Sequence, residues 1–123
     1  MNQPKAVTVT IANNTAASNA FEIFGYQIAG VITPSAWTGA DVSFEVDPNG
    51  AGTFYKVTGN TGALLKLTGI ATNAAEYHIV AFGAGAPGPM GQDAKIVSSN
   101  TASEADVNQG AARTVIVQLI PIA

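Results

Sequence analysis

Cysteine is absent from this chain of 123 residues, so it has neither disulfide staples nor thiolate ligands, and the redox compartment stays open. Histidine is represented by His78 alone, which leaves a transition metal without a ligand set. Charge is scarce: 11% of residues are charged, against roughly a quarter in an ordinary soluble domain. The five basic residues (Lys5, Lys56, Lys66, Lys95 and Arg113) are scattered and the net charge is −3, which excludes an electrostatic footprint for nucleic acid. No run of like charge forms a tail, and no apolar run approaches the length that spans a membrane. Met1-Asn2-Gln3-Pro4-Lys5 lacks the apolar stretch of a signal peptide, so a soluble chain made in the cytoplasm is expected. Neither an internal repeat nor a domain linker is found.

What is present points to strands. Thirteen glycines and six prolines punctuate short runs rich in Val, Ile, Thr and aromatics. That pattern predicts one all-β domain over residues 1–123, an antiparallel β-sandwich of about eight strands with negligible helix. Residues 1–21 would form an N-terminal strand and loop able to serve as an arm. The organising stretch is 34–57. Val42, Phe44 and Val46 alternate with Asp41, Ser43 and Glu45, which predicts a strand with one face in a core and one in water. Asp47-Pro48-Asn49-Gly50 supplies turn chemistry, and 53–57 returns as the second arm of a hairpin. Further strands are expected at 6–12, 22–33, 63–68, 76–82, 95–98 and 113–122. In 22–33, Phe24, Tyr26, Ile28 and Ile32 would share a face, with Gly25 and Gly30 marking bulges or close approach. Residues 83–92 read as a flexible surface loop, and 99–112 as a long polar connection.

The last run is apolar on both sides, with Val115, Val117 and Leu119 opposed to Ile116, Ile120 and Ile122. A strand of that kind is buried on both faces. A two-layer sandwich covers only one, so a crossing loop or a neighbouring subunit must cover the other. Pro121 fits an edge or a strand end.

Residues that carry chemistry are few, and each has a plainer reading. His78 would need a nucleophile and a carboxylate beside it to form a triad; a half-buried strand histidine is the simpler account. Asp41, Glu45 and Asp47 could pair for glycoside hydrolysis, but their alternation places them on a solvated strand face. The turn at Asp47 lacks the spaced acidic ligands of a calcium loop. Gly83, Gly85, Gly88 and Gly91 lack phosphate-binding spacing, and the prolines among them remove backbone donors. Trp37, Phe54 and Tyr55 could line a sugar-stacking surface, while a lone tryptophan before a strand more simply anchors the core. No catalytic residue, cofactor site or metal site is therefore assigned.

Two motifs carry a family resemblance. One runs from Ile32-Thr33-Pro34 through Ala36-Trp37-Thr38-Gly39-Ala40 and Val42-Ser43-Phe44-Glu45-Val46 to a turn and Phe54-Tyr55. The other is Val107-Asn108-Gln109-Gly110-Ala111-Ala112-Arg113-Thr114-Val115, with Glu76-Tyr77-His78-Ile79-Val80 between them. Together they resemble small virion proteins of tailed bacteriophages, over residues 22–121. Two departures stand out. Ala112 replaces the family's aspartate and removes a local carboxylate partner for Arg113, and the Asp-Gly turn is expanded to residues 47–52. The resemblance implies a jelly-roll-like structural component of the virion, assembled in the host cytoplasm. Compactness and low charge favour a capsid decoration or cement protein without enzymatic activity. Its partners would be the major capsid protein and further copies of itself, as a homotrimer, with no nucleic acid and no membrane. The alternative is a tail- or fibre-associated jelly-roll module that binds a glycan, since discoidin-type modules resemble the same hairpin.

Overall fold

A computed structural model describes residues 3–59, 62–80 and 88–122. In them the chain forms nine strands and no helix. These are β1 (Lys5–Ile11), β2 (Phe21–Glu22), β3 (Tyr26–Thr33), β4 (Asp41–Asp47), β5 (Tyr55–Lys56), β6 (Lys66–Leu67), β7 (Glu76–Ile79), β8 (Asp93–Ser99) and β9 (Arg113–Pro121). One sheet has the order β1-β9-β3-β7 and the other β2-β8-β4-β5, with β6 also paired to β4. Every pairing is antiparallel. The chain passes from sheet to sheet between β1 and β4 and again between β6 and β9, which is the winding of a jelly roll. The β-sandwich expected from the short period-two runs is the fold observed.

Alternation supplies the core. Val9, Ile11, Ile28, Val31, Val115, Val117 and Leu119 of the first sheet meet Phe21, Val42, Phe44, Ala94 and Ile96 of the second, all buried. Full burial of such a side chain stabilises by roughly 1.5–3 kcal/mol. Trp37 caps this cluster at 2% exposure, and its indole N–H donates to the Ala40 carbonyl oxygen at 3.0 Å. The polar end of the ring is thereby satisfied inside the core.

Several boundaries differ from the sequence reading, each for a local reason. Residues 22–33 are not one strand. Gly25 takes a φ of +83°, which a side chain would strain, and the turn there sends β2 and β3 into opposite sheets. A bulge between Ile28 and Gly30 then shifts the alternation of β3. Ile28, Val31 and Thr33 therefore face inward while Ile32 faces out, and Phe24, left on the turn, is 69% exposed. The hairpin's return arm is only Tyr55–Lys56, and the strand expected at 95–98 extends to Asp93–Ser99 in the middle of its sheet. The expected strand at 76–82 ends at Ile79, its last two residues lying outside those described.

The loop at 83–92 also differs where it is described. Gly88 and Pro89 are buried, and the Ile28 N–H donates to Pro89 at 3.1 Å. A Cβ on Gly88 would stand 1.9 Å from the Ile28 carbonyl oxygen, so backbone lies directly on backbone there. This end of the segment is a fixed crossing from one sheet to the other, not a surface loop.

Candidate interaction surface

The outward positions of the first sheet follow from its registers. Ala6, Thr8 and Thr10 stand beside Gln118, Ile116 and Thr114. Ile116 and Gln118 stand in turn beside Ile32 and Gly30, and these beside Tyr77 and Ile79. None of these residues is charged. The sheet's charged residues, Lys5, Glu76 and Arg113, each begin a strand and pair with the inward-facing Leu119, Thr33 and Ile11. Ile32, Ile116 and Ile120 are half-buried, while Tyr77 is 51% and Ile79 72% exposed. The Tyr77 ring packs against Gly30, where a Cβ would come within 2.4 Å of it. The second face of β9 is thus partly covered by its own neighbours at Ile116 and Ile120, whereas Ile122, just past the strand, is 49% exposed; on the sheet itself the bare portion of the patch lies toward β7.

The second sheet presents the opposite character. All remaining charged residues sit on it or on the loops beside it. Glu45 stands in register with Lys56 and Lys95, and Lys95 Nζ lies 4.5 Å from the centre of the Phe54 ring. At the other end, residues 100–106 fold back over β4. Lys66 Nζ donates to the carbonyl oxygens of Asn100, Thr101 and Ser103 at 3.1, 3.2 and 3.4 Å. It also stands 3.2 Å from Asp41 Oδ2, an oxygen that has this charge partner but no aligned hydrogen bond. Lys56 and Asp106 close the loop's far end at 2.8 Å.

This arrangement corrects the reading of the carboxylates. The face of β4 expected in water is covered, and Asp41 and Asp47 are 2% and 1% exposed. Asp41 is held by Lys66 and by the Thr101 hydroxyl at 3.2 Å. Asp47 accepts the backbone N–H groups of Asn49, Gly50 and Gly52 at 3.3, 3.0 and 2.8 Å. Burial alone would raise the pKa of Asp47; the backbone N–H groups of Gly52, Asn49, Gly50 and Ala51 together outweigh it and hold the value below 3.8. Both carboxylates are structural.

His78 does not form a triad. Thr33 Oγ1 at 3.2 Å and Glu76 Oε1 at 3.8 Å both address the same ring nitrogen, Nε2, whereas a triad's carboxylate must orient the opposite nitrogen. Trp37 is buried whereas Tyr55 is 60% exposed, so the three aromatics share no stacking surface. Of the glycines weighed as a phosphate cradle, Gly83 and Gly85 lie outside the described residues. Among the described residues no three His, Asp or Glu side chains gather as a metal site, and no helix is long and apolar enough to cross a membrane.

One residue was missed. Gln109 is fully buried, and its carboxamide uses every position it has. Oε1 accepts from Thr38 N–H at 2.9 Å and Arg113 Nε at 3.2 Å. Nε2 donates to Ser98 Oγ at 2.7 Å and to the Thr38 carbonyl at 3.5 Å. Its backbone joins Asn14 and Thr15 at 3.0 and 2.9 Å. Arg113, without an acidic neighbour at Ala112, rests on Gln109 and on Thr38 Oγ1 at 3.1 Å. A glutamine inside a polar run carries no sign of burial; only the motif Val107–Val115 drew attention to it.

No family model, curated protein or solved structure matches the chain.

Proposed function

We propose that the protein is a structural component of a bacteriophage virion, a capsid decoration or cement subunit that stabilises the assembled head. One observation carries this reading: the outward face of the β1-β9-β3-β7 sheet holds no charged residue, while the opposite side of the sandwich holds nearly all of them. Docking an uncharged face strands no desolvated charge. Its exposed Tyr77 and Ile79, beside half-buried Ile32 and Ile116, suit contact with a protein surface better than lasting exposure to water. The partners are further copies of this chain, as a symmetric trimer, and the major capsid protein beneath. Many copies bound only to the assembled shell would lower its free energy relative to the ruptured one by mass action.

The test uses Ile79→Asp, because Ile79 is 72% exposed and its loss should leave the core intact. Glu45→Gln on the charged face is the control. Light scattering and co-sedimentation with intact heads should show an oligomeric wild type that decorates heads. Ile79→Asp should bind at least about tenfold more weakly, a change of about 1.4 kcal/mol. A wild type that is monomeric and leaves heads bare, or an Ile79→Asp variant that decorates normally, would sink the proposal.

A further inference from the structure

The chain contains one Asn-Gly bond, Asn49-Gly50, on the turn that leaves β4. Such bonds are chemically weak. The Gly50 backbone nitrogen loses its proton and attacks Asn49 Cγ. The new N–Cγ bond replaces the Cγ–Nδ2 bond, and Nδ2 leaves with a proton as ammonia. Water then opens the succinimide at either carbonyl, giving aspartate or an isoaspartyl link with one extra backbone carbon. Glycine favours the reaction because no side chain shields its nitrogen.

We propose that Asn49-Gly50 is a latent deamidation site, and that the Asp47 carboxylate holds it unreacted in the folded protein. Both residues are exposed, so water and hydroxide reach them, and burial is not the protection. The attacking nitrogen is instead engaged: Gly50 N–H donates to Asp47 Oδ1 at 3.0 Å. The same carboxylate receives Asn49 N–H and, through Oδ2, Gly52 N–H at 2.8 Å. An anion beside Gly50 also opposes loss of its amide proton, since a second negative charge would form next to the first. The Asn49 carboxamide is engaged too, its Oδ1 accepting Ala51 N–H at 3.2 Å. Asp47 is itself well anchored, as its carbonyl accepts Gln92 N–H at 2.9 Å and Gly91 packs against it. Asp47 is a carboxylate at neutral and alkaline pH, where deamidation runs, and its lowered pKa only extends that range toward acid. The inference is independent of any role on a capsid.

Peptide mapping after prolonged incubation at mildly alkaline pH reads the conversion directly. Native protein should deamidate at Asn49 at least about tenfold more slowly than the same chain unfolded in guanidinium, because reaction requires local opening. Asp47→Ala, shown to be folded by its Trp37 near-ultraviolet signal, should approach the unfolded rate. Native protein that converts as fast as the unfolded chain overturns the proposal, as does a folded Asp47→Ala variant that keeps its amide as long as wild type. If Asp47→Ala does not fold, hydrogen exchange at Gly50 in the wild type decides. Slow exchange supports the guard, and exchange at the rate of an open loop overturns it.

Discussion

Gln109 and Asp47 show how single polar side chains hold this sandwich where its apolar pattern is silent. Replacing Gln109 by alanine removes the partners of Thr38 N–H, Ser98 Oγ and Arg113 Nε at once. Each buried group left without a partner costs about 1–3 kcal/mol. Some will find water, so urea unfolding of Gln109→Ala should show a loss of roughly 2–4 kcal/mol; a loss within experimental error would mean that the hub is replaceable. Asp47 makes a prediction in pH. Its folded pKa lies below the ordinary value of 3.8, so the folded state binds this proton less readily than the unfolded state does. The stability it contributes is present above about pH 3.8 and disappears as pH falls through the lowered folded value. Asp47→Asn should be less stable than wild type at neutral pH and should show a shallower loss in acid. Parallel acid-unfolding curves for the two proteins would count against the backbone cage.

At the scale of elements, the covering of β4 depends on β6 and the loop 100–106, joined through one ammonium group. Lys66 and Asp41 have side chains only 16% and 3% exposed. Removing one member of a buried pair leaves the other uncompensated, at a cost of about 3–5 kcal/mol. Lys66→Met should therefore destabilise the fold by about 3 kcal/mol and open residues 100–106 to limited proteolysis; an uncut loop would mean that its own turn, in which Asn100 Oδ1 accepts Ala102 and Ser103 N–H at 2.8 and 3.0 Å, suffices. The strands themselves were readable from period-two alternation at β1, β4 and β9, where three or more apolar positions alternate in sequence. They were misread wherever backbone geometry broke the alternation. Gly25 put Phe24 on a turn and the bulge after Ile28 turned Ile32 outward, and β5 and β6, expected at 53–57 and 63–68, are only two residues long each. The winding into a jelly roll agrees with the fold that the two-motif resemblance implied.

For the whole molecule, the division between a charged and an uncharged side sets the physics of association. Contact through the uncharged sheet should be nearly indifferent to salt, because there is little charge to screen. Sedimentation equilibrium at about 50 mM and at about 500 mM salt, conditions between which the Debye length falls more than twofold, should give the same association constant within about threefold. A steep fall with salt would assign the interface to the Lys56, Lys95 and Glu45 side instead.

The amino-acid sequence by itself determined the class of fold, the core positions Val42, Phe44, Val115 and Val117, and the scarcity of groups able to do chemistry. Composition and local period depend only on neighbours along the chain, so they can be read without coordinates. Tertiary structure alone decided which side of each strand is covered. Asp41 and Asp47 alternate like solvent residues, yet they are buried because a loop some sixty residues away, at Thr101, and a turn of their own backbone supply partners. It also decided that Ile32, Ile116, Tyr77 and Ile79 form one uncharged surface. They come from three strands that are distant in sequence and adjacent only after the sheet is wound. A pattern along one segment records which residues can share a face, but which face meets water depends on what the rest of the chain lays over it.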